Sequence, residues 1–393
     1  MEIRKLKAED RDELLAFLNR VFANKYGRDM DFLCEQPKMW ECSDDAMGKH
    51  IAIFDGGQMA SVVGIYPLPV VIGEEKLLFA TTGNVATSTE YEGRGFFTKL
   101  FAMAMQEIEE LGVDVARLGG ARQRYARFGF EPSGSSYSFE LNSDNVSKYF
   151  GGYGENVEFE RVKEDCIEKL EYISDLIRKK DFYVKRSADN GHKDLYALLG
   201  TKHSAPYVAK KDGTYIGYIC AACDRQFVGV GEFGRNVTEY GYESSEDFLH
   251  MICAYQRKVG KTLSVTVAPH ETELLEKLSD GAEYATLTSP SRFKVRNFEK
   301  LTNALIKLKD KKEPLPIGES VVEIEDYGKL LLFKNGEEAG ASFTEKTADT
   351  KLTKAEATRL LFGHLPYFAT KKVPENLKPF LPLPLSWNTL DYV

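Results

Sequence analysis

No run of about 18 apolar residues occurs in the 393-residue chain, so no membrane-spanning helix is expected. Cysteine is sparse. The six (Cys34, Cys42, Cys166, Cys220, Cys223, Cys253) are scattered, which reads as a reduced, cytoplasmic protein. Cys220-Ala-Ala-Cys223 has redox or zinc spacing, but it has no second pair. It also lies on a predicted strand, whose geometry sends the two thiols to opposite faces. The six histidines show no ligand spacing. His270-Glu271 opens a helix without a second histidine four residues on, which excludes a metalloprotease motif, so no metal is expected. Positive charge is not in excess. Fifty-two Lys and Arg stand against 60 Asp and Glu, a net charge of −8. That balance argues against nucleic acid as a partner and suits a cationic, amine-bearing substrate. The N-terminus, MEIRKLKAEDRDELL, is charged from the start and lacks the pattern of a signal peptide. The Lys307 to Lys312 charge run reads as a solvated linker.

What is present is an ordinary globular composition, 43% hydrophobic and 28% charged, in a chain long enough for two or three domains. One stretch stands out, NVATSTEYEGRGFFTKLF, from Asn84 to Phe101. A short β-type run meets a polar turn and a Gly93-Arg94-Gly95 knuckle. Beyond it, Phe96, Phe97, Leu100, Phe101, Ala104 and Ile108 recur at helical steps. Strand, glycine loop and helix start together suit an anion, because helix N-termini carry unpaired N–H groups and glycine lets the backbone approach closely. A P-loop is excluded by the missing Lys-Ser/Thr after the second glycine. A Rossmann fingerprint is excluded by the missing third glycine.

The stretch resembles the acyl-CoA loop of the GNAT N-acetyltransferases, a Gln/Arg-x-x-Gly-x-Gly/Ala pattern laid on Glu92, Gly93, Arg94, Gly95, Phe96 and Phe97. Gly95 fits. Glu92 replaces the basic or amide residue, and Phe97 replaces the small one. Thirty residues on, ARQRYARFGFEP (Ala121 to Pro132) resembles the second GNAT signature, with Tyr125, Phe128, Gly129 and Phe130 matching. The pair resembles more specifically the Eis-like (enhanced intracellular survival) multi-acetylating group, over the full length of the chain. The resemblance implies acetyl-CoA as co-substrate, bound by Val85, Ala86, Thr87, Gly93, Arg94, Gly95, Phe96, Phe97 and Thr98. It implies Tyr125 as general acid and the terminal carboxylate of Val393 as general base. Asp391, two residues away, is the alternative base or a holder of the substrate ammonium. The acceptor is a small amine, in the polyamine, aminoglycoside or peptide-amine range. No membrane partner is expected. The Eis group forms rings, so a homo-oligomer is open. The competing class is a ligand- or partner-binding protein that has lost catalysis.

In chain order, strands and an N-terminal helix lead through hairpins at Asp55-Gly56-Gly57 and Gly73-Glu74-Glu75 to the central loop. The first of these ends its second strand at Tyr66, and two more strands are expected between Pro67 and Ala86. A last strand near Tyr137 to Leu141 closes a first domain, 1–150. From 151 to 290 the element types repeat: a hairpin at Asp212-Gly213, a helix from Ser245 to Val259 and a strand from Thr262 to Val267, without glycine knuckle or Tyr signature. This tract reads as a degenerate GNAT domain. Residues 291–393 resemble a sterol-carrier-protein-like domain. It holds a helix after RFKVRNF, an Asn335-Gly336 hairpin, a Thr353 capping box and a proline-rich apolar tail expected to dock. The fold class expected is therefore α+β/α/β, with tandem GNAT domains followed by a smaller α+β unit.

Overall fold

The computed structural model describes residues 1–186, 192–201, 204–222, 233–364, 372–388 and 391. Three sheets organise them. The first has eight strands, and its main path runs Glu2–Lys5, His50–Asp55, Gln58–Ile72, Glu75–Thr87, Val115–Leu118, Arg292–Val295 and Glu131–Pro132. Within it only Glu75–Thr87 and Val115–Leu118 pair in parallel, in register from Phe79–Val115 to Thr82–Leu118. The second sheet runs Tyr284–Thr288, Ser136–Leu141, Leu263–Val267, Asn236–Tyr242, Thr214–Ala222, Ser204–Lys211 and Val157–Arg161. It too has one parallel pair near its centre, Asn236–Tyr242 with Leu263–Val267. The third is a small four-stranded sheet, with Gly318–Ile324 between Gly328–Asn335 and Thr350–Leu352.

Two strands cross between the tracts into which the sequence divides. Ser136–Leu141, expected to close the first sheet, instead lies inside the second, paired with Leu263–Val267 and Tyr284–Thr288. Arg292–Val295, expected to begin the C-terminal unit, fills the gap between Val115–Leu118 and Glu131–Pro132. Local periodicity marks a strand but carries no information about which sheet receives it. Asp114 fastens the junction: its carboxylate accepts from Leu78 N–H, Asn297 Nδ2 and Lys300 Nζ, all within 2.9 Å.

The strand break expected between Tyr66 and Pro67 is absent, because Gln58–Ile72 is one strand of 15 residues. Pro69 sends its carbonyl outward to Lys185 N–H, so its missing donor faces the same outer edge. Between Gly64, where His50–Asp55 ends its register, and Val70, where Phe182–Val184 begins, that edge has no strand partner among the described residues, and it bonds only through Ile65 N–H to Lys49 O and Lys185 N–H to Pro69 O. Prolines 67 and 69 therefore remove no ladder bond there.

The helix Phe96–Glu110 packs Phe96, Leu100, Phe101, Ala104 and Ile108 onto the first sheet. A second core joins the far end of that sheet to the helix Phe298–Lys312 and the small sheet. The tail docks as expected. Leu383 N–H donates to Leu361 O, Ser135 N–H to Leu385 O, and Trp387 stacks on Phe79 at 5.5 Å. The hairpin at Asp212-Gly213, the Ser245–Val259 helix with its Ser244 cap and the Thr353–Glu356 capping box also form as the sequence indicates.

Candidate active site

Strand Glu75–Thr87 carries a bulge just beyond its parallel register. Val62 pairs with Ala86 and Gly64 with Gly83, so Asn84 and Val85 together face Val63 alone. Asn84 takes a left-handed backbone, φ 53°. A non-glycine residue needs a reason to stay there, and the side chain supplies one. Asn84 Nδ2 donates to Tyr66 Oη at 2.6 Å, Tyr66 Oη meets His50 Nε2 at 2.7 Å, and His50 Nδ1 meets Met47 O at 3.2 Å. A carbonyl only accepts, so Nδ1 carries the proton, Nε2 accepts from Tyr66, and Tyr66 accepts from Asn84. This relay needs neutral His50. Burial lowers its pKa to about 4 and raises that of Tyr66. The bulge lies past the end of the register with Val115–Leu118, and Val85, Ala86 and Thr87 beyond it line a slot.

The slot leads to the helix start. Gly93 and Gly95 hold φ of 77° and 79°, and a Cβ on either would meet nothing within 4 Å. No side chain caps the first turn of Phe96–Glu110. Its leading N–H groups are therefore free for an anion. Together these parts enclose a cavity of about 650 Å³ lined by Val85, Ala86, Thr87, Glu92, Gly93, Gly95, Phe96, Phe97 and Thr98. Lys25 and Arg124 bring positive charge to the same wall. An uncapped helix start, two glycines at positive φ and two basic side chains suit a pyrophosphate.

Residues 2–133 match the sequence profile of a family described as an acetyltransferase (GNAT) domain. The chain carries a GNAT acetyltransferase domain. No curated protein matches the sequence. Solved structures with the same overall fold include a GCN5-related N-acetyltransferase from Anabaena variabilis ATCC 29413, 16% identical, TM-score 0.64, covering 100% of each chain. Eis1 from Mycobacterium abscessus is 13% identical, with TM-score 0.65, over 99% of this chain and 98% of that one. A probable N-acyltransferase from Enterococcus faecalis V583 is 15% identical, with TM-score 0.65, over 93% and 90%. The second sheet, with its single parallel pair and the helix Ser245–Val259, repeats the GNAT arrangement, so the two stand in tandem.

Of the ten residues assigned to cofactor binding or acid catalysis in the GNAT domain, all but Arg94 and Tyr125 line the slot. Arg94 is turned outward, paired with Asp55 at 3.2 Å and lying over the Tyr91 and Phe96 rings. Tyr125 does not line the cavity. It sits behind Phe97, ring centroids 5.8 Å apart, and against Gly120, where a Cβ would stand 3.0 Å from its ring edge. Gly120 lies just past the end of Val115–Leu118. Burial raises the Tyr125 phenol above its ordinary value, with Arg124 acting the other way. Phe97, bulky where the pattern has a small residue, lies under the Arg124 and Arg127 guanidinium groups at 5.5 and 5.6 Å and so supports the Arg124 that faces the slot.

Val393 lies outside the described residues, as does Cys223. Asp391 is buried, and Arg186 Nη2 donates to both its carboxylate oxygens at 3.2 and 3.3 Å. The same guanidinium holds Glu239 at 2.6 and 2.8 Å, and Glu239 also accepts from Tyr218 Oη at 2.9 Å. Arg186, Glu239 and Tyr218 were not singled out in the sequence. Nor were Lys25, Arg124, or the His50–Tyr66–Asn84 relay. Only the Arg-Gln-Arg-Tyr run, which sets charge beside Tyr125, gave a signal for any of them.

Proposed function

We propose that the chain transfers the acetyl group of acetyl-CoA to a primary amine on a small acceptor, by direct attack of the amine on the thioester. The observation that carries this reading is the slot beside the Asn84 bulge, ending at an uncapped, glycine-flanked helix start with Lys25 and Arg124 on its wall. Backbone N–H groups from Gly93 to Thr98 hold the pyrophosphate, and Val85–Thr87 pairs with the pantetheine arm. The bulge leaves a backbone N–H free to polarise the thioester oxygen. The amine nitrogen bonds to the carbonyl carbon and the C–S bond breaks. The terminal carboxylate takes a proton from the amine. Tyr125 gives its proton to the departing thiolate, whose parent thiol has a pKa of about 8.5. A phenol raised by burial stays protonated at neutral pH and available as that donor. Asp391 serves this arrangement as the anchor of the tail, because Arg186 already engages both its oxygens.

The second GNAT-like unit binds no acetyl-CoA in this reading. The whole is of the Eis-like kind, and its last unit, a four-stranded sheet covered by Phe298–Lys312, is of the sterol-carrier kind. Among the described residues Cys42, Cys166, Cys220 and Cys253 are free thiols, which suits a reducing, cytoplasmic setting. Tyr125→Phe keeps the ring on Phe101 and removes the hydroxyl. Release of CoA thiol, followed over an amine library, should then show kcat down about 100-fold or more. Val393→Ala should be mild, whereas two glycines appended to the terminus should abolish turnover by moving the carboxylate. Undiminished kcat in Tyr125→Phe removes Tyr125 from the mechanism, and undiminished kcat in the extended chain removes the terminus.

A further inference from the structure

The second sheet keeps the outline of the acetyl-CoA slot with its electrostatics reversed. Strands Asn236–Tyr242 and Leu263–Val267 pair in parallel only at Asn236–Ser264 and Val237–Val265. Beyond that point they part around a cavity of about 480 Å³, and the helix Ser245–Val259 starts at its edge. In the first sheet the matching helix start is bare. Here Ser244 caps the Asp247 N–H, Glu246 and Asp247 fill the first turn, and Ser245 Oγ donates to Glu273. A phosphate at this place would meet carboxylates instead of free donors.

The charges on the cavity wall divide into two sets. Lys179 with Glu243, Lys312 with Asp181, Asp391 with Arg186 and Lys180 with Glu239 are ion pairs at 2.6, 2.6, 3.2 and 3.8 Å. Glu271 and Glu273 have neutral donors only: Tyr240 Oη and Ala268 N–H at 2.9 and 3.0 Å for Glu271, and Ser245 Oγ for Glu273. Neither makes an ion pair among the described residues. Tyr240 and Tyr242 stack beside them, and the Lys180 ammonium already lies over Tyr240 at 5.4 Å. Two further lining side chains are buried with a polar atom unused. His270, 7% exposed, has no partner for Nδ1, and Trp387, 9% exposed, has none for Nε1. A buried donor or acceptor left unpaired is costly, and a ligand that completes it recovers that cost.

We propose that this cavity binds an organic ammonium: a primary amine whose charge is held by Glu271 and Glu273, whose body lies on Tyr240 and Tyr242, and whose polar substituents meet His270 and Trp387. Carboxylates without a cation, set against aromatic faces, recognise this chemistry and reject anions. The cavity shares no lining residue with the acetyl-CoA slot, and of the residues assigned to acetyl transfer it touches only Asp391, the anchor of the tail.

The test is calorimetry on the full-length chain with three probes of one shape: tyramine, its neutral analogue tyrosol, and the anion 4-hydroxyphenylacetate. Tyramine should saturate one site per chain, with the other two binding about tenfold more weakly or worse. The Glu271→Gln/Glu273→Gln double variant should weaken tyramine by about tenfold and leave the acetyl-CoA dissociation constant unchanged, which also reports that the fold is kept. Equal affinity for tyramine and tyrosol overturns the proposal without recourse to any variant, as does the absence of saturable tyramine binding. Tyramine binding undiminished in a folded double variant places the amine elsewhere and likewise overturns it.

Discussion

His50 is the residue on which the shape of the slot turns. Its Nε2 must accept from Tyr66, so a proton there breaks the relay that holds Asn84 in its left-handed turn. Burial lowers its folded pKa to about 4 from an ordinary 6.5. Between those values the unfolded chain takes up a proton that the folded chain refuses. The contribution is therefore whole above pH 6.5 and is lost as pH falls towards 4, at most roughly 3 kcal/mol. Urea unfolding of the wild type and of His50→Gln at pH 7 and pH 4.5 should show the wild type losing more stability on acidification, by about 2 kcal/mol or more. Parallel losses would clear His50 of that role. The relay explains a glycine as well: a Cβ on Gly64 would stand 2.3 Å from the Tyr66 hydroxyl. None of this was legible in the sequence, where Asn84 opened the glycine-loop stretch, Tyr66 closed a predicted strand and His50 carried no signal, with nothing to link the three. Only the antiparallel register brings them together.

At the scale of elements, the glycine loop and its helix carry the cradle, and here the sequence was most informative. The knuckle, the helix from Phe96 and the aromatic segment after Val115–Leu118 are set by short-range patterns, and they formed where those patterns indicated. What short range cannot supply is who faces the slot. Lys25 arrives from the end of the N-terminal helix Arg11–Tyr26 and Arg124 from beside Tyr125, while Arg94, inside the motif, leaves for Asp55. The loop can be probed without clashes. Gly95→Ala forces a side chain into φ 79° with nothing within 4 Å, so the strain is local, about 1–2 kcal/mol. In the proposed reading the methyl group stands where the pyrophosphate binds, and the acetyl-CoA dissociation constant should rise about tenfold in calorimetry. Gly260→Ala imposes the same strain at φ 63° at the end of the Ser245–Val259 helix, and should leave acetyl-CoA binding unchanged. Equal effects of the two would mean that Gly95 acts through stability alone.

For the whole molecule, the exchange of strands makes the sheets interdependent. A chain cut after residue 290 keeps every residue of the acetyl-CoA slot yet lacks Arg292–Val295, which fills the gap between Val115–Leu118 and Glu131–Pro132. It should show no cooperative thermal transition and no acetyl-CoA binding, by circular dichroism and calorimetry. A cooperative melt with full-length affinity would show the strand to be dispensable. The same arrangement bears on how the protein is made. Arg117 and its partner Ser291 are 174 residues apart along the chain. At the usual pace of translation, the edge beside Arg117 leaves the ribosome on the order of 10 to 35 s before the strand that covers it. Through that interval the nascent chain presents an open strand edge, the kind of surface that pairs with neighbouring nascent chains. Chaperone supply and elongation speed through the second sheet therefore govern how much of each batch of newly made chain reaches the native state.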